Sequence, residues 1–95
     1  MELAELKWPD VAALSRDMPI LFPIAALEQH GLHMPVFTDS LLLGEIVRRA
    51  GERLHNRVLL APLQWLGNSH HHLDFPGTLS SEPRSYIDLL GGLME

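Results

Sequence analysis

Two apolar runs without polar alternation stand out in the chain. The first spans Pro19 to Leu27, and the second is the shorter run from Val58 to Ala61. Such runs are typical of strands buried on both faces, as in a parallel sheet covered by helices. Pro23 has no backbone N–H to donate, so we expect the regular part of the first strand to end or bulge near this residue.

Three other segments have helical character. A short helix is predicted over Trp8 to Leu14, because the proline at its start falls where the missing N–H is tolerated. A second helix is predicted from Asp39 to Leu54, with Thr38 or Asp39 as a candidate cap. A third opens at Ser81-Glu82-Pro83. The apolar faces of the last two helices consist of Leu43, Ile46, Val47, Ala50 and Leu54, and of Tyr86, Ile87, Leu90, Leu93 and Met94.

The order helix, strand, helix, strand, helix indicates a layered α/β fold, and residues 1–95 are treated as a single domain. Two strands are too few for a stable sheet. The last predicted helix also runs to Glu95 without a stop signal. We therefore expect the sequence to be the front part of a longer domain.

Composition narrows the functional classes. Hydrophobic residues make up 46% of the 95 residues and charged residues 20%, which is typical of a globular protein. The net charge is −5 and no basic cluster exceeds Arg48-Arg49, so nucleic acid is a poor candidate partner. No cysteine is present, which excludes disulfides and thiolate metal sites. The acidic N-terminus does not match a signal peptide. The longest apolar run, Met18 to Leu27, is too short to span a membrane, so we expect a cytoplasmic protein without membrane contact.

Five of the six histidines fall in two clusters, at positions 30 and 33 and at positions 70–72. His30 lies two residues after Glu28, where the first predicted strand ends. In an extended chain these two side chains face the same way, and the carboxyl ends of strands are where α/β folds bind ligands. Asp39 could fold back as a third ligand. Carboxylate and imidazole groups suit Zn²⁺ or Mn²⁺.

Simpler explanations exist for several of these residues. The role of Asp39 could be limited to capping the helix that it precedes. His33 could be an ordinary loop residue. In the triplet, three adjacent side chains cannot all face one site, so at most one or two can enter it. Trp8 and Trp65 are interpreted first as core or interface residues.

Two motifs nevertheless resemble a known family. The stretch Glu28-Gln29-His30-Gly31-Leu32-His33-Met34-Pro35, followed by Thr38-Asp39, resembles the E-Q-H-G-x-H-L-P-x-x-T-D signature of the creatininase (creatinine amidohydrolase) family. The later residues Gly67-Asn68-Ser69, His72 and Phe75-Pro76-Gly77-Thr78-Leu79-Ser80 are similar to its second signature, G-x-S-x-E-H-x-x-F-P-G-T-x-S. Together the motifs and their lead-in cover nearly all of the chain.

The resemblance implies a three-layer α/β/α fold with a mainly parallel sheet, which is incomplete here. It also implies a hydrolase of small linear or cyclic amides. Members of the family commonly assemble as homo-oligomers, often hexamers. Glu28, His30 and Asp39 match metal ligands of the family, with Asp39 bridging two divalent ions. The ions are expected to be Zn²⁺, Mn²⁺ or both, and a metal-bridged water is the expected nucleophile. His72 matches the histidine of S-x-E-H and is the candidate catalytic residue.

The chain departs from the family pattern in three places. Ala25 and Ala26 stand where the family usually has glycine and serine, and His71 replaces the glutamate of S-x-E-H. The two remaining family ligands belong to a later N-G-H-x-(E/G)-N segment, which we expect to follow residue 95.

Other functional classes stay open at this point. A truncated, non-catalytic assembly or binding module with one weak metal site is the alternative to an amidohydrolase, because three ligands of five do not hold a normal pair of ions. A structural zinc module is disfavoured, since closed zinc sites favour cysteine ligands.

Overall fold

The protein is described from a computed structural model that covers residues 1–95. Its regular elements follow the predicted order: helix α1 (Trp8–Ala12), strand β1 (Ile20–Leu21), helix α2 (Thr38–Leu54), strand β2 (Leu59–Leu60) and helix α3 (Pro83–Met94). Short 3₁₀ turns lie at Leu3–Glu5, His55–Arg57 and His70–His72.

The two strands form a parallel pair connected through α2. Ile20 lies opposite Leu59, and Leu21 lies opposite Leu60. Both strands are shorter than their apolar runs, because Pro23 and Pro62 interrupt the ladder by lacking a donor. The expected end of the first strand near Pro23 is thus confirmed. Pairing resumes just beyond, where Ala25 N donates to Gln64 O at 2.8 Å.

Burial differs sharply between the two strands. The segment from Val58 to Ala61 is only 3–6% exposed and forms the hydrophobic core. In contrast, Ile20 is 52% exposed, so the prediction that β1 is buried on both faces is wrong here. The reason lies in the strand order. The N–H of Leu60 donates to Met1 O at 2.7 Å, on the side away from β1. β2 is therefore flanked on both edges, whereas β1 is an edge strand.

Helix α2 begins at Thr38 with Phe37 as its N-cap, and no side chain caps it. The prediction that Thr38 or Asp39 caps this helix is therefore wrong. The Thr38 hydroxyl donates instead to the carbonyl of Pro35 in the preceding turn. Asp39 occupies the first turn, where a carboxylate interacts favourably with the helix dipole while its oxygens stay available for other partners.

Much apolar surface remains uncovered. Trp8, interpreted first as a core or interface residue, is 81% exposed on α1. Ile46 on α2 and Ile87 and Met94 on α3 are exposed as well, although they belong to the predicted apolar faces. No helix is both long and apolar enough to cross a membrane.

Candidate metal site

The segment after the β1 ladder folds back on itself. Glu28 N donates to Val36 O at 3.2 Å, and His30 pairs with Met34 across a tight turn. Gly31 lies in this turn at φ +75°, a conformation that glycine adopts without steric cost. The turn returns the chain to the start of α2, which brings Asp39 beside His30.

The ring of His30 is oriented by its own main chain. Its Nδ1 lies 3.1 Å from the carbonyl oxygen of Glu28, which can only accept, so Nδ1 carries the hydrogen. Nε2 faces Asp39 Oδ1 at 3.1 Å. The hydrogen bond to the Glu28 carbonyl, followed by the charge of Asp39, raises the pKa of His30 above its ordinary value.

The three predicted ligands, Glu28, His30 and Asp39, come together in space. One ligand atom from each lies within 4.8 Å of the other two, and all three residues are half-buried. A histidine that donates one ring N–H to a backbone carbonyl and aims the other nitrogen at a carboxylate has the usual orientation of a metal ligand. The donor set of two carboxylates and one imidazole fits Zn²⁺ or Mn²⁺.

The three adjacent histidines at positions 70–72 face different surroundings, as expected for neighbouring side chains. His72 Nε2 lies 3.7 Å from Glu28 Oε2, and its Nδ1 lies 2.8 Å from Gln29 Nε2. His71 packs against His72 with 4.1 Å between ring centroids but is exposed. His70 turns away and contacts Ser80 Oγ at 2.6 Å. His33 is exposed and makes no hydrogen bond or ion pair.

The loop that carries the triplet is fixed to the ligand segment by main-chain contacts. Gln29 N donates to the buried hydroxyl of Thr78 at 3.0 Å, and Leu79 N donates to Leu27 O at 3.0 Å. A Cβ at Gly67 would lie 2.7 Å from the carbonyl oxygen of Ala25, so only glycine permits this approach. The residues of the second motif therefore hold those of the first.

Gln29, Thr78 and Gly67 are structural contributors that the sequence reasoning did not single out. Their only sequence signal is membership of the two motifs, because each acts through a contact between segments far apart in the chain. An open cavity of about 340 Å³ adjoins the cluster and is lined by Ile24, Ala25, Ala26, Asp39 and Leu43.

The chain is an α/β protein with a parallel pair of strands. Its cluster of oxygen and nitrogen donors, beyond the end of a strand, is a candidate metal centre. The family can be stated more closely. The family model for creatininase, creatinine amidohydrolase, matches residues 4–95, so the chain belongs to the creatininase family.

Individual relatives agree with this assignment. The chain is 38% identical over 68 residues to the mycofactocin precursor peptide peptidase of Mycobacterium ulcerans (strain Agy99), covering 64% of this chain and 27% of the relative. It is 33% identical over 87 residues to the creatinine amidohydrolase of Pseudomonas putida, covering 82% of this chain and 32% of the relative. The chain thus spans about a third or less of these relatives.

Solved structures match over nearly the whole chain. A mutant creatininase complexed with creatine has a TM-score of 0.83 at 31% identity, covering 98% of this chain and 38% of that structure. A mutant creatininase of Zn-Zn type has a TM-score of 0.79 with the same identity and coverage. A creatininase described with Mn has a TM-score of 0.70 at 34% identity, covering 88% of this chain and 35% of that structure. The predicted creatininase-like α/β fold, incomplete in this chain, is confirmed.

Proposed function

We propose that the whole protein to which this chain belongs is a metal-dependent amidohydrolase, and that Glu28, His30 and Asp39 are metal ligands in it. The observation that carries the proposal is the orientation of His30. Its Nδ1–H donates to the Glu28 carbonyl, and its Nε2 is therefore directed at Asp39. A neutral imidazole lone pair and a carboxylate repel each other unless a proton or a cation lies between them.

The same cluster accommodates part of a site for two divalent ions. Asp39, which lines the open cavity, has a second carboxylate oxygen to offer, and Glu28 has two. We expect Zn²⁺ or Mn²⁺ at the site and Asp39 as the bridging ligand. When bound, a pair of such ions polarises a carbonyl group and makes water a nucleophile near neutral pH.

The residues of this chain would act by holding and orienting. The Glu28 carbonyl keeps the His30 ring from rotating, so less ordering is needed when an ion binds. Ile24, Ala25 and Ala26 form apolar walls of the open cavity that Asp39 also lines. His72, whose Nε2 lies 3.7 Å from Glu28 Oε2, is proposed to act on bound substrate beside this cluster.

The substrate class follows from the relatives only in broad terms. One relative is named for creatinine and another for a precursor peptide, and both names imply cleavage of a carbonyl–nitrogen bond. We propose a small molecule or peptide with a linear or cyclic amide. A homo-oligomer, such as a hexamer, stays a prediction. A cytoplasmic location stays a prediction.

Metal titration followed by an amide panel tests the proposal. The metal-free whole protein is titrated with Zn²⁺ and with Mn²⁺ by calorimetry, and the loaded protein is assayed for release of amine from creatinine, formamides and short peptides. We expect saturable binding and turnover of at least one amide that a chelator abolishes. His33→Ala is the matched control, since this exposed histidine should leave binding unchanged. Absence of both binding and turnover would contradict the proposal and favour a non-catalytic module.

A further inference from the structure

We infer that Gln29 is a positioning residue that holds His72 in the tautomer with hydrogen on Nε2, so that His72 directs an N–H at Glu28 and does not ligate a metal. The tautomer follows from contacts within the chain alone. Its importance for the metal centre rests on the proposed function, because there Glu28 is a ligand.

The orientation of the Gln29 amide is fixed by a main-chain donor. Gly31 N donates to Gln29 Oε1 at 2.9 Å, and a backbone N–H can act only as a donor. The oxygen of the amide therefore faces Gly31, and the NH₂ group faces His72. Rotating the amide by half a turn would place two donors against each other at Gly31 and would lose that hydrogen bond.

The orientation of the amide decides the state of the imidazole. Gln29 Nε2 lies 2.8 Å from His72 Nδ1 and can only donate, so Nδ1 must accept and carries no hydrogen. In the neutral ring the hydrogen then resides on Nε2, which lies 3.7 Å from Glu28 Oε2. At this distance the N–H interacts with the carboxylate mainly through charge, and a small closure would complete a hydrogen bond.

His30 and His72 thus contact Glu28 through different ring nitrogens. His30 donates Nδ1–H to the Glu28 carbonyl and directs Nε2 at Asp39. His72 presents Nε2–H. One ring is arranged to ligate a cation, and the other to orient the carboxylate that shares the site.

This assignment argues against a second possible set of metal ligands. Glu28, His71 and His72 also place ligand atoms within 4.8 Å of one another, as a second metal site would require. A histidine that ligates through Nε2 must keep its hydrogen on Nδ1, where it needs an acceptor. Gln29 offers His72 a donor at that position, and flipping the amide to offer an acceptor would break the hydrogen bond from Gly31 N.

The side chain of Gln29 can be altered without releasing its backbone. The backbone N–H of Gln29 is separately bound to Thr78 Oγ1 at 3.0 Å. Gln29→Glu keeps the shape of the side chain and the acceptor for Gly31, but a carboxylate cannot donate to His72. The variant should therefore move the hydrogen of His72 from Nε2 to Nδ1.

The test is ¹⁵N spectroscopy of histidine-labelled, metal-free whole protein at pH 8.5, about two units above the ordinary imidazole pKa. Signals of His72 are assigned by their loss in His72→Ala. We expect a protonated Nε2 and a bare Nδ1 in the native protein, and the reverse in Gln29→Glu. Asn68→Asp is the matched control, because Asn68 faces His70 at 3.3 Å and its change should leave His72 unaltered.

Three results would overturn the inference. These are a native His72 with hydrogen on Nδ1, an unchanged tautomer in folded Gln29→Glu, and loss of the Nε2–H signal of His72 when Zn²⁺ is added. The native measurement decides the tautomer even if Gln29→Glu fails to fold. Zn²⁺ that leaves the His30 signals unperturbed would contradict the proposed metal function and leave the tautomer of His72 standing.

Discussion

His30 Nε2 and Asp39 Oδ1 lie 3.1 Å apart, although the whole turn from Gly31 to Thr38 separates the two residues along the chain. The pair exists because the turn folds back tightly and because α2 begins at Thr38 without using Asp39 as a cap. The carboxylate is therefore free for the cluster, and this freedom allows its role to be tested apart from helix stability.

Asp39→Asn in the whole protein should release at least one ion and abolish amide turnover, because an amide is a weaker ligand than a carboxylate and does not bridge two cations. Helix content should persist, since the N-cap of α2 is Phe37. Metal analysis, turnover and circular dichroism measure the three effects. The exposed Asp74 supplies the control Asp74→Asn, which should bind metal normally. Full metal occupancy and activity in Asp39→Asn would end the ligand assignment.

His72→Ala should reduce turnover much more than His70→Ala. His72 faces Glu28 and Gln29, whereas His70 contacts Ser80 Oγ on the far side of its loop. The loss in His70→Ala should appear in stability, by about 1 kcal/mol for one hydrogen bond, and hardly in turnover. Steady-state kinetics beside urea unfolding separates the two quantities. Equal losses of turnover would mean that the loop is oriented differently from this structure.

Gly67→Ala and Gly91→Ala should change stability in opposite directions. An alanine Cβ at position 67 would lie 2.7 Å from the Ala25 carbonyl, and overpacking of this kind costs about 1–3 kcal/mol. Nothing lies within 4 Å of a Cβ at position 91, inside α3, where alanine should stabilise the helix by about 0.5–1 kcal/mol. Urea unfolding of both variants measures the difference. A neutral Gly67→Ala would show that the two motifs do not pack so closely.

Glu45 should make α2 sensitive to acid. Hydrogen bonds from Arg48 and Arg49 lower the pKa of Glu45 to about 2. Because the folded pKa is below the unfolded one, the contribution to stability is present above the ordinary glutamate pKa and is lost as pH falls toward 2. Glu45→Gln should therefore lower the melting temperature at pH 6, and the difference from the native protein should shrink at pH 3. Glu5→Gln, which removes a carboxylate without an ion pair, should show no such convergence.

The sequence predicted the order of elements, the interruption near Pro23 and the residues of the cluster, because each depends on local chemistry or on short motif spacing. It did not predict the unequal burial of the two strands. That difference depends on Met1 pairing with Leu60, a contact between distant segments that leaves no local pattern. For the same reason Gln29 was not singled out, since His72, the partner of its amide nitrogen, becomes its neighbour only in three dimensions.

The central place of β2 also sets when the sheet can form during synthesis. Its two neighbours, at Met1–Glu2 and at Ile20–Leu21, leave the ribosome first, yet each takes its main-chain hydrogen bonds from the segment around Leu60. Neither neighbour can complete its ladder until that later segment has emerged, and contacts between such distant positions slow folding. The nascent chain therefore carries the apolar segment around Ile20 unpaired until the segment around Leu60 has emerged, and a chaperone would protect it most during that interval.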